Sequence, residues 1–172
     1  KLAVVASLFL TLGVRANGAA ERLNLVQDGR PSATIVLPKA PTQIEKSASL
    51  DFQRCMKRMS GAVLPIVSEP EQPQGVRVEI GGTERGRRLR AELSRPKHRS
   101  DEACVIKVTE QAVVLVGRND AATGHAVYSL LERLGVRWLQ PSLAWEVVPR
   151  RKSVSVRIGQ QVMAPHFDRR GG

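Results

Sequence analysis

Hydrophobic and polar positions repeat with two different periods along this chain, and the changes of period mark out its elements. Residues 23–27 and 33–37 are short apolar runs separated by Asp28, Gly29, Arg30 and Pro31, which predicts two strands around a turn. From Thr42 the period lengthens. Ile44, Ala48, Phe52, Cys55, Met56 and Met59 recur at helical spacing, Thr42 and Glu45 form a T-x-x-E capping box behind Pro41, and Gly61 supplies a stop. The Met stripe on that helix fits a face packed on a sheet. Residues 63–67, interrupted by Pro65, read as an edge strand, and a link rich in Pro and Glu covers 68–74. Val76, Val78 and Ile80 then alternate with Arg77 and Glu79, the mark of a half-buried strand.

Residues 83–99 predict a short helix and a loop. Cys104, Ile106 and Val108 recur at period two, and 112–116 is a continuous apolar run. Joined near Glu110 and Gln111, they predict a hairpin whose second strand is fully buried. A second strong helix runs from an N-cap at Asp120 to Leu134, with Val127, Leu130, Leu131 and Leu134 in one stripe and Gly135 as its left-handed stop. Trp138, Leu139 and Pro141 follow, then terminal strands at 145–148 and 154–158, while 163–172 carries no core pattern. No period of about 20–50 residues recurs, which argues against a solenoid. The reading is one α/β (α+β) domain, a mixed β-sheet covered by two main helices.

The first twenty residues have a different character. Lys1 leads an apolar run over 2–14, followed by Arg15 and the small residues of 16–20. A cationic start, an apolar centre of about 7–15 residues and a small-residue cleavage region make a secretory signal peptide, too short for a comfortable membrane span. The expected product is secreted or periplasmic, with no membrane attachment after cleavage. Residue 1 is Lys rather than Met, so the chain is expected to be a fragment. Export leaves two states open for Cys55 and Cys104, a disulfide or two free core thiols.

Charge narrows the options further. The chain has 172 residues, 27 basic against 16 acidic side chains and a net charge of +11, with Arg far outnumbering Lys. At 42% hydrophobic and 25% charged the composition is globular, which excludes a disordered or collagen-like chain. Only 3% of residues are aromatic, too few for base-stacking platforms, so nucleic acid is not an expected partner. The densest basic segment is RGRRLR at 85–90, interleaved with Glu84 and Glu92. Arg87, Arg88 and Arg90 are the candidate contacts for a polyanion such as an acidic polysaccharide; a solvated helix face is the simpler account.

Candidate chemistry is sparse. Gly81 and Gly86 have the spacing of a phosphate loop, but Arg87 and Arg88 stand where a Lys and a Ser or Thr would contact phosphate and Mg²⁺. There is no G-x-S-x-G elbow, and His98, His125 and His166 have no partner constellation. Two distant cysteines without paired histidines lack zinc spacing. Paired carboxylates for glycoside hydrolysis do not stand out. The sequence nominates no catalytic residue, cofactor or metal.

One stretch does carry a likeness. Residues 117–141, GRNDAATGHAVYSLLERLGVRWLQP, resemble the signature of the amino-terminal domain of bacterial alpha-glucuronidases and related exported glycosidase-like proteins. In that family a strand ending in Gly-Arg leads into a helix of the form G-x-x-Y-A-V-Y-x-x-L-E, and the helix gives way to G-V-R-W-L-x-P. Gly124, Ala126, Val127, Tyr128, Leu131 and Glu132 fit the helix, with His125 where an aromatic is common. Gly135, Val136, Arg137, Trp138, Leu139 and Pro141 fit the exit. More loosely, Met59, Ser60 and Gly61 followed by Leu64, Pro65 and Ile66 look like the family's helix–Gly–strand passage. Val78 to Gly81, Trp145 to Pro149, and Pro165, Phe167 and Arg169 also fit, so the likeness spans most of 23–170.

The resemblance implies a small accessory domain, similar to the one in beta-hexosaminidases, that precedes a (β/α)₈ barrel holding the catalytic carboxylates. On this view 1–20 is the signal peptide, 21–162 the accessory domain, and 163–172 a linker toward a missing barrel of the same parent chain. Arg137 and Trp138, directly after a helix stop, are the candidate interdomain contacts; burial of Trp138 in its own core is the competing account. The implied role is non-catalytic, within an exported glycoside hydrolase that breaks down polysaccharide. The alternative is a free-standing exported module that binds anionic polysaccharide through its Arg-rich surface.

Overall fold

The computed structural model describes residues 21–93, 100–139 and 146–164. The expected signal peptide, Arg95, Arg99, Pro141, Trp145 and the tail beyond Ala164 lie outside the described residues.

A six-stranded mixed sheet organises the domain. Its strands are β3 (Ala33–Leu37), β4 (Ile66–Ser68), β5 (Val76–Ile80), β6 (Cys104–Val108), β7 (Ala112–Gly117) and β11 (Gly159–Met163), in the order β11-β6-β7-β5-β3-β4. The run from β4 to β7 is parallel, whereas β6 is antiparallel to both β7 and β11. Period-two alternation sends Ile35, Val78, Ile80, Ile106, Val113 and Leu115 to one face. There they pack under α1 (Gln43–Ser60) and α3 (Asp120–Arg133), with Phe52, Met56, Val127 and Leu131 fully buried. The other face carries a smaller cluster in which Val105, Val114 and Val116 meet Leu89 and Leu93 of α2 (Glu84–Leu93). The mixed α/β class follows from the sequence pattern, with α2 adding cover on the far side.

Local chemistry fixes the ends of both main helices. Thr42 Oγ1 accepts from the Glu45 N–H at 3.2 Å, and Glu45 Oε2 accepts from the Thr42 N–H at 2.9 Å, a reciprocal capping box. The cap of α3 corrects the sequence expectation: it is Asn119, whose Oδ1 accepts from Ala122 N–H at 2.8 Å, and Asp120 is the first helical residue. At the other end, the Gly135 N–H reaches the Glu132 carbonyl and the Val136 N–H reaches the Leu131 carbonyl, each at 3.0 Å. This double bond pattern is a Schellman stop.

Four further differences from the expectation have simple causes. β1 (Arg22–Gln27) does not join the sheet of β3; it pairs with β10 (Val154–Arg157) and with the two-residue β2 (Arg30–Pro31) across a tight turn at Asp28 and Gly29, both at positive φ. β5 is not half-exposed, because α2 and its neighbours shelter its second face and bury Glu79. Ile44 sits on the helical stripe but at the mouth of the core, 43% exposed. Finally, β11 extends the domain through Met163; its Gln-rich sequence hid an edge strand that needs only one covered face. Cys55 and Cys104 are buried, free thiols.

Candidate functional site

Among the described residues, a densely bonded polar cluster lies where a small hairpin meets α1. The hairpin pairs β8 (Arg137–Trp138) with β9 (Glu146–Val147), setting Arg137 opposite Val147 and Trp138 opposite Glu146. Residues that face each other across a pair share a side of the ribbon. Trp138 and Glu146 therefore point inward together, and the Glu146 side chain has no solvent exposure. An isolated buried carboxylate is costly and needs partners. Arg54 and Arg58, one helical turn apart on α1, both form ion pairs with it.

The remaining acceptor capacity is also used. Trp138 donates its Nε1–H to Glu146 Oε1 at 2.9 Å, and the Cys55 thiol lies 3.6 Å from the same oxygen. Arg58 also reaches the Glu146 backbone carbonyl at 3.2 Å. Asp51 extends the network, accepting from Arg54 at 3.0 Å and from the Tyr128 hydroxyl at 2.8 Å. Tyr128 returns to the hairpin by presenting its ring edge to Trp138, with centroids 5.5 Å apart at 88°. Glu146 thus joins the hairpin to α1, and Asp51 joins α1 to α3.

Electrostatics assign that carboxylate a fixed role. Burial alone would raise its pKa, but the hydrogen bonds and charge of Arg54, with Trp138 and Arg58, outweigh burial and hold it below the ordinary range. Arg54 is correspondingly pushed up, mainly by its hydrogen bonds to Glu146. Cys55 is raised to about 12, first by burial and then by the negative charge of Glu146. Tyr128 is raised to about 12 by burial, reinforced by its bond to Asp51. At neutral pH this Glu holds no proton to give, and both its oxygens are engaged by donors. The cluster ties the hairpin to α1.

In the loop after β5, the first glycine of the phosphate-loop spacing and its neighbour Gly82 meet a carboxylate of the protein itself. Glu45 Oε1 accepts from the Gly82 N–H at 2.8 Å, so a carboxylate of the protein itself occupies the place an anion would take. Gly81 admits it: at φ +77°, a Cβ there would lie 1.9 Å from Glu45 Oε1. Among the described residues, no group of three or more His, Cys, Asp or Glu is placed to hold a metal.

The arginines singled out in the sequence separate into two kinds. Arg90 turns inward: its Nε donates to the Gly117 carbonyl at 2.9 Å, and Thr123 Oγ1 and Glu45 lie within 4.0 Å. Arg87 and Arg88 are exposed on α2, Arg87 donating to the Gly82 carbonyl at 2.7 Å and facing Glu69 at 3.8 Å, Arg88 paired with Glu84. They border a cleft of about 690 Å³ beside β5 whose five basic residues face four acids: Glu69, Glu71, Glu79 and Glu84. The buried Glu79 accepts from Arg85 at 3.2 Å. Such a cleft is nearly neutral.

Arg137 is exposed, its Nη1 donating to the carbonyls of Glu132 at 2.6 Å and Val136 at 2.7 Å, while Trp138 is half-buried. Sequence reasoning missed Asp51, Arg54, Arg58 and Glu146. The available signal was the i, i+3 and i+7 spacing of Asp51, Arg54 and Arg58 on one helix, together with a lone acid inside the run W-E-V-V.

A mixed sheet with α1 and α3 on one face, and a hairpin tied to α1, defines a small α/β domain. No family model matches the chain, and no curated protein matches it. Among solved structures it is similar to part of a family GH115 4-O-methyl-alpha-glucuronidase with specificity for decorated arabinogalactans. The TM-score is 0.61 at 14% identity, covering 85% of this chain and 19% of that one. It is also similar to part of CpGH84D, at a TM-score of 0.46 and 14% identity over 64% of this chain and 18% of that one, a likeness too distant to carry an argument. The chain thus spans about a fifth of each protein's length. The first likeness shows a shared fold, one that forms a portion of a glycoside hydrolase.

Proposed function

We propose that this chain is the non-catalytic amino-terminal accessory domain of an exported alpha-glucuronidase-like glycoside hydrolase, with the catalytic barrel elsewhere in the parent chain. The observation that carries the reading is the fold likeness to a GH115 alpha-glucuronidase, which takes in 85% of this chain and 19% of that enzyme. Residues of 117–139 that fit the family pattern have structural tasks here: Tyr128 donates to Asp51, Gly135 stops α3, and Trp138 donates to Glu146. Glu146, the most buried carboxylate of this cluster, is occupied by two arginines and is unavailable as an acid or base. The apolar leader at 2–14 supports export. The parent would act on plant or other polysaccharides that carry uronic acids.

Reading the source locus beyond the codon for Gly172 tests the proposal. A frame that continues through repeated strand–helix units supports it, and a stop codon directly after Gly172 overturns it. The rival reading, a free-standing binder of anionic polysaccharide, has less support because Arg87 and Arg88 are paired with acids and Arg90 faces inward. Retention on a uronic-acid polymer that falls steeply with salt, and is lost in an Arg87→Glu/Arg88→Glu variant, would restore it.

A further inference from the structure

The hairpin that Glu146 fastens from beneath has an outer side. Because Trp138 and Glu146 face inward, their strand neighbours Arg137 and Val147 face outward together, and Leu139 follows in the bend directly after β8. Val147 is 52% exposed and Leu139 is 63% exposed. Single exposed apolar side chains are ordinary, but here they fall on neighbouring elements. Of the five large hydrophobic side chains exposed among the described residues, four (Ile44, Leu50, Leu139 and Val147) belong to α1 or to this hairpin. The sheet's other face, under α2, contributes none.

The path of the chain gives this face an occupant. β11 ends at Met163 in a shallow depression that it shares with Ser129, Glu132 and Arg133 of α3 and with Arg137 of the hairpin. Arg133 Nη2 approaches Met163 Sδ at 3.4 Å. The described end of β11 therefore lies beside Arg137, at the margin of the hairpin's outer side. Interfaces between domains of one chain are of modest area and mix polar with apolar groups, as Arg137 mixes with Leu139 and Val147 here.

We infer that the outer side of the β8–β9 hairpin, with the adjoining exposed face of α1, is the docking surface for the domain that follows Ala164 in the parent chain. The inference rests on the accessory-domain reading and adds to it a location and a mechanism. Arg54 and Arg58 tie Glu146 to α1, so that the side carrying Val147 is presented from a strand already anchored, at little entropic cost.

Hydroxyl-radical footprinting of this 172-residue chain and of the longer parent tests the surface directly. Oxidation of Leu50, Leu139 and Val147 is expected to slow several-fold in the parent. A Leu139→Glu/Val147→Glu variant of the parent should regain the faster rate at Leu50 and be cleaved several-fold faster by protease after Ala164. Both positions are solvent-exposed, so the same substitutions should leave the melting temperature of the 172-residue chain unchanged. Protection that falls on the α2 face instead, or on no side chain at all, overturns the docking surface and leaves the accessory-domain reading standing. Absence of any longer parent overturns both.

Discussion

Replacing Glu146 by Gln asks whether charge holds the hairpin in place. The substitution preserves volume and removes a negative charge that has no solvent exposure and faces Arg54 and Arg58. Breaking a buried ion pair by removing one partner costs about 3–5 kcal/mol when the other charge is left stranded. Here the two arginine side chains keep 32% and 40% of their surface in water, so hydration recovers part of that loss. We expect a destabilisation of about 2–3 kcal/mol, or about 5–10 °C in Tm for a domain of this size.

The pH dependence supplies a sharper check. A carboxylate whose pKa is lowered on folding stabilises above its unfolded pKa, and the contribution is lost as pH falls through the folded value. Glu146 is lowered in this way: burial opposes the shift, and Arg54, Trp138 and Arg58 together prevail. The Tm gap between wild type and Glu146→Gln should be full near neutral pH and should narrow steadily below about pH 4.5. Circular dichroism melts across a pH series read both features. A gap under about 1 °C at neutral pH, or one that persists undiminished in acid, would refute the charge-based account.

Three further outcomes follow from the geometry. Gly81→Ala should cost about 2–3 kcal/mol in urea denaturation, because its Cβ would collide with Glu45 at a left-handed backbone position; a wild-type midpoint would contradict this. Arg90→Ala should cost about 1–2 kcal/mol through its lost bond to the Gly117 carbonyl, whereas Arg87→Ala should stay within about 0.5 kcal/mol; equal effects would show that the two do not differ in role. Cys55 and Cys104, raised by burial to about 12 and about 11, should resist a thiol reagent at pH 8 until the protein unfolds, and rapid native labelling of either would contradict their burial.

The sequence was most informative where a local rule acts alone. The Thr42–Glu45 box, the Gly135 stop and the continuous apolar run of β7 each need only neighbours in sequence, and each appears in the structure as the pattern predicts. It was least informative where distant segments decide. Nothing near β1 announces that its partner is β10, more than a hundred residues away, and the polar β11 is a strand because the edge of β6 is there to receive it. Burial of Glu79 follows from α2 lying across β5, not from the alternation of β5 itself.

The Glu146 cluster was hidden for the same reason. Arg54 and Arg58 look like an ordinary solvated stripe until the hairpin brings a carboxylate to them across about 90 residues of chain. Arg90 shows the converse. Its place in a basic run suggested an electrostatic surface, yet its bond to Gly117 turns it into the structure.

On the proposed reading, this domain works as one part of a longer glycosidase-like chain. An antibody raised against residues 21–164 would capture the native protein from its source for intact-mass and peptide analysis. The expected product is a chain several-fold longer than this one, with these residues preceding a larger portion that carries the hydrolase activity. A native protein no longer than 172 residues would contradict it.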